Sequence, residues 1–137
     1  MSLYYVDSSA LVKLVSDEPE SAALRSFLSA DDLVSSELVL TEVPRAIRRA
    51  VAKEPKLPMD RLVARAEELL EAVALLPLDR ALLAAAGALT EPALRALDAI
   101  HLATAIDVAP IDRFVSYDGR QSAAARLAGL RTAAPGA

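Results

Sequence analysis

The sequence contains no cysteine and no tryptophan, and His101 is its only histidine. The lack of cysteine excludes disulfides, thiolate metal sites and a cysteine nucleophile, and one histidine makes no histidine cluster for zinc. Aromatic residues are scarce, with three Tyr and two Phe among 137 residues. That is too few for a platform on which bases of a single strand stack in succession. Positive charge is not in excess either. The net charge of −4 argues against broad, nonspecific nucleic-acid binding, although the field over one face matters more than the sum. No apolar run approaches the roughly 18 residues of a membrane span; the longest, "ALLAAAGAL" at 81–89, is half that. The start, "MSLYYVDSSALVK", lacks the basic-then-apolar pattern of a signal peptide. A cytoplasmic protein without membrane contact is the expectation.

What is present is apolar and helical. Hydrophobic residues make up 54% of the chain, with Ala and Leu dominant, which implies close helix packing and apolar surface for a partner. The length suits one domain spanning 1–137. "LYYV" at 3–6 reads as a buried strand running into Asp7, with Ser8 and Ser9 available to cap the helix "ALVKLV". Helical spacing follows over 19–28, and "LVS" at 33–35 is a weak strand. Residues 38–53 look helical but include Pro44, so a kink, or a fresh start near Thr41, is expected. Leu62, Ala66, Leu69 and Val73 share one face of an amphipathic helix over 60–72. "AVALLPL" reads as a buried strand, followed by helices at 80–88 and 94–107. "RFVSYD" at 113–118, "RQSAAARLA" and "LRTA" give a strand, a helix and a last short strand. Alternating strands and helices imply an α/β fold with a parallel sheet covered on both faces.

Sites in such sheets form beyond the carboxyl ends of strands. Asp7, Asp79 and Asp118 each follow a strand candidate, while Glu42 and Asp98 sit in apolar helical stretches. A carboxylate among apolar residues needs a cation or hydrogen bonds. Ordinary structural roles also exist. Asp7 and Asp79 can cap helices, Glu42 can pair with Arg45 or Arg49, and Asp98 can cap or bond Arg95. His101 reads as a satisfied core or interface histidine, and Asp107 and Asp112 as loop acids.

Four blocks in order are more specific than any one acid: "YYVDSSALVKL" at 4–14, "LTEVPRAIRR" at 40–49, "LDAIHLATA" at 97–105 and "FVSYDGR" at 114–120. Through them nearly the whole chain resembles the PIN-domain ribonucleases, in particular the VapC-type toxins of bacterial toxin–antitoxin pairs. The resemblance implies a three-layer α/β/α fold with a mainly parallel sheet of four to five strands. It assigns Asp7, Glu42, Asp98 and Asp118 as catalytic, metal-binding acids, with Asp79 left as a cap. Ser9 and Ser116 match hydroxyl positions near that site, and Arg45, Arg49 and Arg120 are candidates to hold substrate phosphates. Pro44 stands two residues beyond Glu42, and a kink there would set Glu42 farther from a metal.

Four converging carboxylates raise one another's pKa, a conflict that a divalent cation removes. Oxygen-only ligands suit Mg²⁺, with Mn²⁺ as a substitute, rather than zinc. One ion, or two about 4 Å apart, could activate water for in-line attack on RNA, leaving 5′-phosphate and 3′-hydroxyl ends. A VapB-like antitoxin and a homodimer are the implied partners. Two alternatives stay open: a catalytically inactive PIN-like domain acting as a binding module, and a DNA or structure-specific nuclease. A receiver domain would need an early acidic pair and a late lysine, but Ser8 and Ser9 follow Asp7 and no lysine follows Lys56. An aspartate-nucleophile phosphatase would need an acid where Ser9 stands.

Overall fold

The computed structural model describes residues 2–29 and 31–137. The elements run β1 (Leu3–Val6), α1 (Ser8–Val15), α2 (Ser21–Leu28), β2 (Asp32–Ser36), α3 (Val39–Lys53), α4 (Met59–Ala72) and β3 (Ala74–Leu76). They continue with α5 (Arg80–Gly87), α6 (Ala96–Val108), β4 (Arg113–Val115), α7 (Gly119–Leu127) and β5 (Thr132–Ala133). Parallel neighbours cannot be joined by a tight turn, so a helix or helix pair intervenes between every two successive strands.

The sheet order is β3-β2-β1-β4-β5, and every pairing is parallel. The chain therefore builds outward from β1 to one edge, then returns to lay β4 on the other side of β1. Tyr5 pairs with Val34 on one side and Phe114 on the other. Successive residues of β1 face opposite ways. Val6 joins the core under α1, α2, α3 and α4, with Leu11, Leu24, Val43 and Leu62. Tyr5 joins the other core, with Leu102 of α6, Phe114, and Ala124 and Ala125 of α7. The result is three layers, helices on each side of the sheet. Burying a side chain such as Leu11, Leu24 or Leu102 contributes roughly 1.5–3 kcal/mol. Helix α5 packs outside α6 through small residues, Ala86 against Ala99 and Ala103, with Leu82 beside them.

Several local expectations need correction. The cap of α1 is Asp7, whose carboxylate accepts from the Ala10 N–H, while Ser8 and Ser9 lie inside the helix. Helix α3 runs unbroken from Val39 through Pro44, without a new start at Thr41. The ring removes the N–H that would meet the Leu40 carbonyl, and Leu40 is exposed, so water can take its place. Strand β3 is an edge strand whose Ala74 is exposed, not a buried one. Helix α7 ends in a Schellman turn. Leu130 N–H donates to the Ala125 carbonyl at 3.0 Å and Gly129 N–H to Arg126 at 3.0 Å, with Gly129 at φ +90°.

Candidate active site

Strand order reverses between β1 and β4, and their carboxyl ends open the crevice where α/β sheets place ligands. Asp7 leaves the end of β1, and Ser116, Tyr117 and Asp118 leave the end of β4. Asp7 is buried with 2% exposure. Its Oδ1 accepts from Ser9 Oγ at 2.6 Å and Ala10 N–H at 3.0 Å, and its Oδ2 from Ser116 Oγ at 2.5 Å. Each hydroxyl is itself held by backbone of the β4–α7 turn. Tyr117 N–H donates to Ser9 Oγ at 3.0 Å, and Asp118 N–H to Ser116 Oγ at 3.0 Å. Burial raises the Asp7 carboxyl above its ordinary value, opposed by the Ser116 and Ser9 hydroxyls. Ser9 and Ser116 thus direct their protons at Asp7, and Ser116 is fully buried.

Asp98 lies in the first turn of α6. Burial raises its acid first, the charge of Asp118 adds to this, and a hydrogen bond from the Arg95 backbone opposes it. Asp118 caps α7, its Oδ1 accepting from Arg120 N–H at 3.0 Å and Gln121 N–H at 3.3 Å. Glu42 arrives from the first turns of α3. Its partner is His101 rather than Arg45 or Arg49: Nε2 stands 2.6 Å from Glu42 Oε1.

Glu42, Asp98 and Asp118 line one open cavity of about 450 Å³, with Arg95 and Arg120 on its wall. Asp7 does not line it. A neighbouring cleft of about 580 Å³ is lined by Ser9, Lys13, Arg45, Arg49 and Tyr117. Glu42 and Leu97 belong to both spaces. Acidic ground is therefore flanked by cations on two sides. Among the described residues, no three acids or histidines stand close enough to cage one ion. A hard cation that retains most of its waters needs only one or two carboxylates directly. The oxygen-only set of Asp98, Asp118 and Glu42 fits such an ion, and the repulsion between Asp98 and Asp118 is the charge conflict it would relieve.

Two supports were not foreseen from sequence. Gln121, buried on α7, donates through Nε2 to the Asp98 carbonyl at 3.0 Å and so ties α7 to the start of α6. A lone amide beside the apolar run "SAAARLA" is the signal that could have found it. Arg95 forms part of the wall from the N-cap position of α6. Asp79 caps α5, accepting from Leu82 N–H at 2.8 Å, and lines a separate cavity.

A profile of the PIN domain matches residues 4–127. Ribonuclease VapC47 of Mycobacterium tuberculosis is 36% identical, with 98% of each chain covered. Ribonuclease VapC46 of the same organism is 39% identical, covering 98% of this chain and 99% of that one. Among solved structures, the M. tuberculosis VapC20, described as a Sarcin-Ricin loop cleaving toxin, superposes with a TM-score of 0.72 at 20% identity, over 96% of this chain and 99% of that one. VapBC2 from Rickettsia felis, bound to a DNA fragment from its promoter, gives 0.66 at 12% identity over 96% and 97%. At these identities the structures speak to fold alone, and that fold is the same three-layer arrangement.

Proposed function

The chain belongs to the PIN-domain family, and from that premise we propose that it is a divalent-metal-dependent endoribonuclease toxin restrained by a VapB-like antitoxin. The observation that carries the reading is the shared cavity of Glu42, Asp98 and Asp118, where burial, with the charge of Asp118 added, holds the Asp98 acid above its ordinary value. Acids so perturbed in a cleft are where functional chemistry concentrates.

Asp98 and Asp118, with Glu42, would hold Mg²⁺ or Mn²⁺, which when bound would neutralise the carboxylates and favour ionisation of a water. The chain's own groups do the rest. Glu42 or Asp118 orients the attacking water and accepts its proton. Asp7 braces the β1 and β4 ends from below, keeping Asp118 in place through Ser116. Arg45 and Arg49 on one side, and Arg120 with Arg95 on the other, hold consecutive phosphates of a strand laid across Glu42 and Leu97. In-line attack then leaves 5′-phosphate and 3′-hydroxyl ends. In this reading residues 1–137 are one domain acting in the cytoplasm as a homodimer. Exposed Leu83 and Ile106, on α5 and α6, offer apolar surface for association.

A second reading draws support from the absence of a ready-made acid cage among the described residues: a PIN-like binding module without catalysis. One assay separates them. The protein is incubated with RNA, single-stranded DNA and duplex DNA, with Mg²⁺, Mn²⁺ or chelator. Metal-dependent cleavage of RNA alone supports the toxin reading. Cleavage of DNA moves the substrate class, and no cleavage with any metal leaves the binding module.

A further inference from the structure

Glu42 reaches the cavity with one oxygen already engaged. His101, 2% exposed on α6, sets Nε2 2.6 Å from Glu42 Oε1 and Nδ1 2.7 Å from the Tyr5 hydroxyl. Tyr5 is fully buried on the central strand, its ring stacked on Phe114 with centroids 5.3 Å apart. A line of polar groups thus crosses from β1 through α6 to α3 and ends at the cavity. Polar groups are rarely kept in an apolar interior unless fully bonded. The reaction outlined above uses neither Tyr5 nor His101.

We infer that Tyr5 and His101 are positioning residues that commit Glu42 Oε1 to the His101 Nε2–H and leave Oε2 facing the cavity. The proton's place follows from the contacts. An unprotonated Nε2 would set a lone pair 2.6 Å from a carboxylate oxygen, so this nitrogen carries hydrogen while Glu42 is ionised. The Tyr5 phenol supplies the complementary proton to Nδ1. Burial pushes its acid far above the usual phenol range, so it stays a donor. Ser35 and Thr104 lie near the phenol but direct their own protons elsewhere. Ser35 Oγ donates to the Val6 carbonyl at 2.5 Å and Thr104 Oγ1 to the Ile100 carbonyl at 2.7 Å. A carboxylate meant to orient water works only with its lone pair in hydrogen-bond reach of it. Misplacement of such a group by about 1 Å can lower rate on the order of a hundredfold. Two buried side chains that leave Glu42 one orientation guard against that.

The catalytic half of this inference rests on the nuclease reading, whereas the proton placement does not, so two measurements are needed. His101 is the only histidine, so nitrogen-15 labelling of its ring yields one imidazole signal set. In metal-free wild type, Nε2 should be protonated in a single species. In Tyr5→Phe, which keeps the ring and removes the hydroxyl, the Nδ1 signal should lose its hydrogen-bond shift. An unprotonated Nε2 in the wild type, or a ring unaltered by Tyr5→Phe, overturns the proton placement. The second measurement is cleavage kinetics with Mn²⁺. His101→Gln, whose amide can still donate to Glu42, should keep kcat within about threefold, while His101→Leu loses roughly tenfold or more at a KM changed by less than about twofold. Equal losses in the two variants, or a loss confined to KM, overturns the positioning role. If His101→Leu does not fold, Tyr5→Phe takes its place, with a several-fold loss in kcat expected and an unchanged kcat overturning the role. A wild type that cleaves no RNA refutes the nuclease reading, and the ring spectrum then still decides where the proton sits.

Discussion

Ser116 gives its one hydroxyl proton to Asp7 Oδ2 at 2.5 Å, with both residues buried. Removing that donor leaves a carboxylate oxygen out of water and unpartnered, which costs about 1–3 kcal/mol. Ser116→Ala should therefore lower stability by that amount in denaturant melts and release the Asp118 N–H that the same oxygen accepts. An unchanged midpoint would mean that Asp7 does not depend on this bond. A paired test distinguishes site acids from caps. Asp98→Asn keeps volume and removes charge from the cavity, so nuclease activity should fall below detection while the protein remains folded. Asp79→Asn should leave activity nearly untouched, because asparagine also caps helices. Equal losses would erase the distinction. At this scale the sequence was partly legible. The spacing of Asp7 and Asp118 behind strands pointed to one end of the sheet. The partner of Glu42 was not legible, because neighbours three and seven residues along α3 looked nearer than a histidine 59 positions away.

Helices and strands set these side chains in place, and the turns between them carry consequences of their own. Gly129 at φ +90° lets the chain leave α7 and enter β5, which pairs with β4 just before Ser116. Added carbon at Gly129 meets no neighbour within 4 Å, so a substitution there tests backbone conformation and not crowding. Gly129→Ala should destabilise the fold by about 1–2 kcal/mol, the strain of a left-handed L-residue, with activity per folded molecule retained. Destabilisation well beyond that range would point to a different cause. The strands at 3–6 and 113–115 were recoverable from sequence because their apolar runs lie at the centre of the sheet, screened on both faces. β3 was misread as buried, since the same residue types also serve at an edge partly covered by helices. Pro44 misled for a related reason. Propensity disfavours it inside a helix, but packing of Val43 and Ile47 into the core holds α3 together around it.

For the molecule as a whole, the cavity's charge should govern stability. Burial and neighbouring charge hold the Asp98 acid above its ordinary value, and burial does the same to Asp7. Between the unfolded and the raised folded pKa, the native state binds more protons than the unfolded chain. In chelator, the stability linked to these two groups is thus greatest at the acid end, from about pH 4, and is lost as pH rises through the folded values. Asp98→Asn should remove its share, so the difference between wild-type and variant melts across pH isolates it. A difference that does not vary with pH would refute the assignment. Added Mg²⁺ should reverse the loss. At ten times its Kd it contributes about 1.4 kcal/mol, a rise of roughly 3–7 °C in Tm for a domain of this size. Asp98→Asn should show a smaller rise, and an equal one would make Asp98 structural.

The pairing of β1 with β4 also sets a clock. Asp7 is made well before its partner Ser116, which lies 109 positions later. At about 5–20 residues per second, synthesis of the intervening stretch takes on the order of 5–20 s. Throughout that interval Asp7 has neither its Ser116 bond nor a nearby Asp118, so the nascent chain has no assembled cavity. Ribosome-bound chains stalled before residue 113 should accordingly cleave no RNA, and cleavage by such chains would show that the first three acidic blocks suffice. The proposed nuclease activity would thus be withheld from the ribosome that makes it until the β4–α7 turn has been added, long after the first acid of the site is in the chain.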